Sequence, residues 1–329
     1  MGKLKCAVIG VGYHGKFHAQ KYAQSPDVEL VAVVDIDSES AKDVAKENNC
    51  EAMTGYHSLL GKVDAVSIVV PTNIHYHVAK DFLFAGSHVL IEKPITVTVD
   101  EADELIKIAR KKQLILQVGH LERFNAALLQ FDFSEEKPLF IESHRLATFN
   151  PRANDVSVVL DLMIHDIDII LDIVDSEVEH IDASGTPVLT GDTDIANAHI
   201  IFKNGCVANV TASRVSMKVE RKMRMFRPDS YVSVDFQNRV FTCHRTSKRE
   251  MFPGVPEIVT EESSFVNGDA LLEEIKHFIS CIKERREPLV TGEDGRKALK
   301  TAIEISNIMA YRNSMESSRD RQQIKYLFG

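Results

Sequence analysis

The sequence predicts two parts: an α/β domain with a doubly wound parallel sheet, then an α+β domain built on a large, mostly antiparallel open sheet. Three observations carry this. The first 119 residues alternate short apolar runs with longer amphipathic segments, the pattern of a parallel sheet covered on both faces by helices. A glycine-rich turn, Gly10-Val11-Gly12-Tyr13-His14-Gly15, separates the first apolar run from the first amphipathic segment. Beyond Gly119 helices become sparse and strand-like stretches follow one another, with Lys203-Asn204-Gly205 as a hairpin turn between two of them.

The first strand is the apolar run Leu4 to Ile9, and Lys16 to Gln24 reads as the helix that follows the glycine turn. Gly10 permits the tight turn, Gly12 lets backbone approach a pyrophosphate, and Gly15 lets helix and strand pack closely. This is a Rossmann turn, with phosphates placed over the helix N-terminus. The second strand, Glu29 to Val34, ends at Asp35, 20 residues past the last glycine. A carboxylate there can accept from both hydroxyls of an adenosine ribose. Asp35 and Asp37, with no Arg or Lys between them, repel a 2′-phosphate, so the pattern favours NAD over NADP.

A helix from Ser38 to Asn48, a strand from Asp64 to Val70, a helix from His75 to Ala85 and a strand from Ser87 to Ile91 follow. Thr98 with Glu101 forms a capping box that opens a helix over 100–112, so Lys93 and Pro94 lie in the loop before it. A strand from Leu114 to Val118 closes the first domain, set at 1–119. The second domain, 120–329, is expected to hold strands over 139–149, 178–189, 194–202, 206–214, 219–227 and 231–236. One long helix from Asp155 to Val174 interrupts them, and helices over 271–285 and 295–312 end the series. The polar tail from Ser314 is expected to be loosely held.

Composition narrows the function class. A net charge of −9 argues against nucleic acid as the main partner. No run of about eighteen uninterrupted apolar residues is present, so no membrane span is expected. The N-terminus runs straight into the first strand, which leaves no secretory leader to expect. Five cysteines, widely spaced and without a CxxC, read as reduced thiols, so a cytoplasmic location is expected. His120, His144 and His165 have no close ligand spacing, and no metal is expected.

Asp161 and His165 stand four residues apart on a segment that is otherwise apolar. On a helix they share one side. A polar pair there requires partners or a function, and an imidazole is suited to taking a proton near neutrality. Oxidising a secondary alcohol needs such a base together with an electrostatic partner at the same hydroxyl.

Taken in order, Gly10 to Gly15 with His18, Pro71-Thr72-Asn73-Ile74-His75, Glu92-Lys93-Pro94, and Asp161 to His165 followed by Asp166-Ile167-Asp168 span nearly the whole chain. With these motifs the chain resembles the Gfo/Idh/MocA oxidoreductases, the group of glucose-fructose oxidoreductase and inositol dehydrogenase. The resemblance implies NAD held by Gly10, Gly12, Tyr13, His14, Gly15, Asp35, Pro71, Thr72, His75, Glu92 and Lys93. It also implies His165 as the catalytic base, Asp161 beside it on the substrate, and Lys93 at the reacting oxygen with a cis Lys93–Pro94 bond. His18 reads as structural, and His75 as packing near the nicotinamide. Arg123, Asn125 and Arg152 are substrate candidates from loops, with structural roles as the alternative.

Within the family, Gly119 to Asn125, Ser143 to Leu146 and Leu162 to Asp168 are most similar to the bacterial UDP-N-acetylglucosamine 3-dehydrogenases, whose 3-keto product is aminated for lipid A. The alternatives are the same chemistry on a free cyclitol or hexose, and a non-catalytic NAD-sensing regulator. Retention of both Lys93 and His165 favours an enzyme. The family commonly forms dimers or tetramers through the C-terminal sheet. The basic stretch Arg214 to Arg227, with Met223 and Met225, reads as a strand face suited to such an interface or to a nucleotide diphosphate.

Overall fold

A computed structural model describes residues 2–130, 137–150 and 156–328, with backbone alone from 315 onward. The chain divides into two compact units, Met1–Phe124 with Asp269–Leu299, and Asn125–Gly268 with Lys300–Gly329. This differs from the contiguous division at 119/120, because a segment from near the C-terminus returns to the first unit.

In the first unit six strands, β1 (Leu4–Ile9), β2 (Val28–Val34), β3 (Glu51–Met53), β4 (Ala65–Ile68), β5 (His88–Glu92) and β6 (Leu116–Gly119), form one sheet in the order β3-β2-β1-β4-β5-β6. Every pairing is parallel. This is the doubly wound order, and its ligand crevice lies beyond the strand C-termini where the order reverses, between β1 and β4. The crossovers are α1 (Gly15–Gln24), α2 (Ser38–Asn48), α3 (Thr72–Ala85) and α4 (Val99–Lys112). α3 starts three residues earlier than the sequence pattern indicated, so Thr72 and His75 belong to its first turn. The capping box forms as expected, with Glu101 N donating to Thr98 Oγ1 at 3.3 Å and Thr98 N donating to Glu101 Oε2 at 3.1 Å.

The returning helix α7 (Ala270–Glu284) supplies Ile275, Phe278 and Ile279 to the core formed by Cys6, Val8, Tyr22, Val33 and Leu90. Phe278 is fully buried, and burying a side chain of this size contributes about 1.5–3 kcal/mol. An amphipathic pattern shows that α7 has an apolar stripe but does not show which core the stripe meets.

The second unit holds an eight-stranded sheet of β7 (Phe140–Leu146), β8 (Val178–Thr186), β9 (Ile195–Phe202), β10 (Val207–Ser213), β11 (Glu220–Phe226), β12 (Ser230–Asp235), β13 (Val240–Phe252) and β14 (Val255–Ser264). Their order is β14-β13-β12-β11-β7-β10-β9-β8. Only the β7–β10 pairing is parallel, so the expected open, mostly antiparallel sheet is present, longer by the β13–β14 hairpin. A short helix α5 (Ala126–Leu129) precedes it. Helix α6 (Ile164–Val174) packs on β7 and β10, and α8 (Gly292–Phe328) continues as helix through Ser314, where the sequence reads as a tail.

Side chains alternate along the central strands of the sheet, and Ile141, Ala198, Val210, Met223, Met225 and Val232 turn inward and are fully buried. The methionine face proposed as an interface is therefore core, a correction that follows from α6 and its neighbours covering that side. The opposite face carries Glu142, His144, Lys222, Arg224 and Phe226. An aromatic row crosses it, with Phe140 and Phe226 centroids 5.9 Å apart, Phe226 and Tyr231 5.0 Å apart, and Tyr231 and His244 stacked at 5.3 Å.

Candidate active site

The glycine turn has the shape its residues require. Gly10 adopts φ 89°, and a side chain there would collide with the Val69 carbonyl. A Cβ on Gly12 would meet nothing within 4 Å, so the loop leaves an open cradle on the side where a pyrophosphate approaches. α1 opens at His14 without a side-chain cap, and its first turn presents backbone N–H groups suited to an anion.

Asp35, at the end of β2, braces this loop. Its Oδ2 accepts from Val11 N at 2.9 Å and its Oδ1 from Asp37 N at 3.0 Å. Asp37 caps α2, accepting from Glu39 N at 3.2 Å and Ser40 Oγ at 2.6 Å. The hydrogen bonds from Ser40 and Glu39 hold its carboxyl below the ordinary range. Asp37 is committed to the start of α2, and Ile36 between the two carboxylates is exposed.

Beyond β4, His75 is buried and its ring joins two segments, with Nε2 2.8 Å from Val70 O and Nδ1 3.0 Å from Pro94 O. Burial pulls its pKa down while those carbonyls favour the protonated ring, and the ring ties the β4 exit to the loop that carries Lys93. The Lys93–Pro94 bond is cis, as the family resemblance implied. Glu92, the last residue of β5, lies 3.3 Å from His18 Nε2 through Oε1 and accepts from Lys93 N at 3.2 Å through Oε2. A Cβ on its partner Gly119 would stand 3.1 Å from the Glu92 carboxylate, a tight contact that glycine avoids. His18 is structural as expected. It is buried 3.2 Å from Ser67 Oγ, which Tyr22 Oη joins at 2.8 Å. His120, fully buried in the same unit, has its pKa pushed down to about 3, first by desolvation and then by the charges of Lys93 and Arg123.

In the second unit Asp161 and His165 are both half-buried. The single α-helix expected from Asp155 instead begins as a π turn, Val159–Met163, that runs into α6; Asp155 lies outside the described residues. Such a turn inserts one extra residue and is frequent at functional sites. Asp161 sits in it and His165 in the first turn of α6. The residue after His165 is anchored firmly. Arg145 on β7 donates from Nε to both Asp166 oxygens at 3.1 Å and from Nη2 to Oδ1 at 2.7 Å. Both residues are almost wholly buried, and the guanidinium lies 5.8 Å from the Phe236 ring centroid.

The loop candidates for substrate fare differently. Arg123 is buried and donates to Leu289 O at 3.1 Å. Asn125 is buried, donating to Phe236 O at 3.0 Å and capping α5 by accepting from Ala127 N at 3.2 Å. Each of these side chains makes a hydrogen bond to backbone. Arg152 lies outside the described residues. Among the described residues no group of three or more His, Cys, Asp or Glu is placed to hold a metal ion, and no helix is long and apolar enough to cross a membrane.

Residues 4–120 match the oxidoreductase family with an NAD-binding Rossmann fold, and residues 116–226 match the GFO/IDH/MocA C-terminal domain. The UDP-N-acetylglucosamine 3-dehydrogenase of Acidithiobacillus ferrooxidans is 40% identical over 92% of this chain and 96% of its own length. The chain belongs to the Gfo/Idh/MocA oxidoreductase family. A solved structure of the Acidithiobacillus enzyme superposes on this family member with a TM-score of 0.88 at 39% identity, covering 94% of this chain and 98% of that one. The scyllo-inositol 2-dehydrogenase of Bacillus subtilis is 26% identical over 97% of both chains.

The glycine cradle, the uncapped start of α1 and Asp35 at the end of β2 all fit NAD. For this oxidoreductase, replacing Asp35 by Ser and Ile36 by Arg is expected to shift preference toward NADP. A charge-assisted hydrogen bond is worth about 1.5–3 kcal/mol, so the affinity ratio should move by roughly 10- to 150-fold. Fluorescence titration with both cofactors checks this, and an unmodified protein that prefers NADP would contradict the role given to Asp35.

Proposed function

We propose that the protein oxidises the 3-hydroxyl of UDP-N-acetylglucosamine with NAD, giving the 3-keto sugar nucleotide that serves 3-amino sugar formation for lipid A. The observation that carries this reading is the 40% identity to a UDP-N-acetylglucosamine 3-dehydrogenase across 92% of the chain. Two bonds break, the C–H of the reacting carbon and the O–H of its hydroxyl, as the C–O bond becomes a carbonyl. The O–H proton goes to His165, with Asp161 holding the substrate beside it, and Lys93 stabilises the alkoxide as it develops. NAD, when bound, supplies the acceptor for the hydride that leaves carbon.

Glu92 and His75 serve this chemistry by fixing the backbone around Lys93, and Asp166 by fixing the turn that carries His165. We further propose that the chain acts in the cytoplasm as a homodimer or homotetramer through the outer face of the eight-stranded sheet. The aromatic row Phe140, Phe226, Tyr231 and His244 supports that reading, as does the Arg224–Glu142 pair at 2.7 Å beside it. Such a face resembles the rim and core of an association surface.

The substrate reading is tested by NADH absorbance. Turnover is expected with UDP-N-acetylglucosamine, the 3-keto product being identified by mass spectrometry and NMR. Binding energy from the remote diphosphate helps position the reacting hydroxyl, so free N-acetylglucosamine should lose rate as well as affinity. Comparable activity on myo-inositol or glucose, or oxidation at another carbon, would remove this substrate and leave the dehydrogenase. NAD binding without turnover on any sugar would point to a regulator.

A further inference from the structure

The first unit buries a carboxyl that the proposed chemistry does not use. Glu274 on α7 is fully buried, and neither of its carboxylate oxygens has a hydrogen-bond partner among the described residues. A second orphan belongs to its neighbour. Gln117 on β6 donates from Nε2 to the Glu274 main-chain carbonyl at 3.3 Å, while its Oε1 is buried without a donor. Exchanging amide oxygen and nitrogen would set oxygen against the carbonyl, so the hydrogen-bond network fixes this orientation.

The two Glu274 carboxylate oxygens and Gln117 Oε1 are buried acceptors with no donor among the described residues, and an ionised carboxylate left in that state is strongly disfavoured. One proton resolves both faults, because a carboxylic acid carries an O–H and Gln117 Oε1 can accept it. The surroundings agree. Gln117 and Gly119 are two residues apart on β6 and share a face of the sheet. Gly119 pairs with Glu92 and leaves the space its carboxylate fills, so Glu92 stands on that face too. Burial first, and then the negative charge of Glu92, push the Glu274 carboxyl well above its ordinary range. Burial also pushes Glu92 upward, but its hydrogen bond to His18 and the pull of His18 and Lys93 outweigh that and hold it charged. Cys6 and Tyr22 on this face are kept neutral by burial, His14 adds to the pull on Glu92, Lys21 pairs with Asp269 at 2.6 Å, and Arg123 turns to Leu289.

We propose that Glu274 is a protonated carboxylic acid at neutral pH, donating to Gln117 Oε1 directly or across one buried water, and that it is a positioning residue for the loop carrying Lys93. It spares Glu92 the charge of a second buried carboxylate and leaves it free to brace His18 and Lys93 N. An ionised Glu274 would repel Glu92 from both partners. The positioning part rests on the role proposed for Lys93, whereas the protonation part does not.

Infrared difference spectra of the full-length protein against E274Q test the protonation directly. The wild type is expected to show the carbonyl stretch of a buried carboxylic acid at pH 7–8, absent from E274Q; a wild type without that band overturns the proposal. Stability gives a second readout. A carboxyl whose folded pKa is raised binds more protons folded than unfolded, so its contribution falls as pH rises from about 4.3, the unfolded value, toward the folded pKa. E274Q lacks that fall, and its melting temperature should gain on the wild type between pH 5 and pH 8. A constant gap, or a wild type that gains with pH, overturns the assignment.

For positioning, E274A should lose about tenfold or more in kcat through misplacement of Lys93, with NAD affinity kept, and E274Q, which retains a neutral donor, should restore it. Normal kcat in E274A overturns the positioning role. Failure of the proposed catalytic role of Lys93 would instead appear in Lys93 variants, with the infrared band and the pH-dependent gap intact.

Discussion

His165→Ala and Lys93→Ala are each expected to lower turnover by about 100- to 10,000-fold, the range for losing a positioned acid–base group, while NAD affinity stays nearly intact. The glycine turn, Asp35 and the start of α1, proposed to hold the adenosine and pyrophosphate of the cofactor, are untouched by either substitution. His165 lies on α6 of the second unit, outside the family's NAD-binding match at residues 4–120. Lys93 lies on a loop whose backbone is held by Glu92 and by His75 through Pro94 O, so removing its amine leaves the loop tied. Single-turnover hydride transfer, followed after rapid mixing of enzyme with NAD and substrate, isolates the chemical step. Near-normal transfer in either variant would sink the role given to that residue. Loss of NAD binding in parallel with turnover would turn Lys93 from a catalytic group into a cofactor anchor.

Most of the first sheet was legible because its central parallel strands are largely apolar runs bounded by turns, whereas β3 (Glu51–Met53), short and mostly exposed, was not expected from sequence. Leu4 to Ile9 and Glu29 to Val34 needed nothing else. β13 and β14 were not legible for the opposite reason: Arg245 to Phe252 and most of Val255 to Ser264 are exposed or half-exposed, and a hairpin with both faces largely wet has no alternation to read. The return of α7 to the first unit was equally hidden. Ile275, Phe278 and Ile279 announce an apolar stripe, and proximity along the chain assigned it to the wrong core.

At the site, residues whose chemistry depends on the backbone were readable. Gly10, Gly12, Gly15 and Asp35 sit where a fixed spacing requires them. Residues that act through a partner distant in sequence were not. Arg145 stands at an inward position of β7, between Ser143 and the strand end, and a charge at such a position could have been flagged as needing a buried mate. Only the fold supplies Asp166 as that mate. Glu274 and Gln117 are separated by 157 residues, and nothing local in either segment points to the other. The π turn was invisible too, because Val159 to Met163 has the same composition as the α-helix it interrupts.

Arg145→Met is expected to destabilise the protein by about 3–5 kcal/mol, the loss seen when one partner of a buried ion pair is removed. The large value comes from what remains. Asp166 is about 1% exposed, and without the guanidinium its carboxylate keeps a charge in a buried position on a largely apolar helix. A thermal midpoint lower by roughly 6–20 °C follows for a unit of this size. The pair itself contributes far less than the single substitution removes, since desolvating two charges offsets most of their attraction. Replacing both, Arg145→Met with Asp166→Leu, should therefore recover much of the stability, and the double-mutant cycle measures the coupling. Recovery of folding need not bring recovery of turnover. The bidentate contact fixes the turn beside His165 in a way that two apolar side chains do not, so the double variant should melt near the wild type and still have reduced kcat. A single Arg145→Met variant within 1 kcal/mol of the wild type would show that Asp166 is reached by water or neutralised, and the anchoring of His165 through it would have to be abandoned.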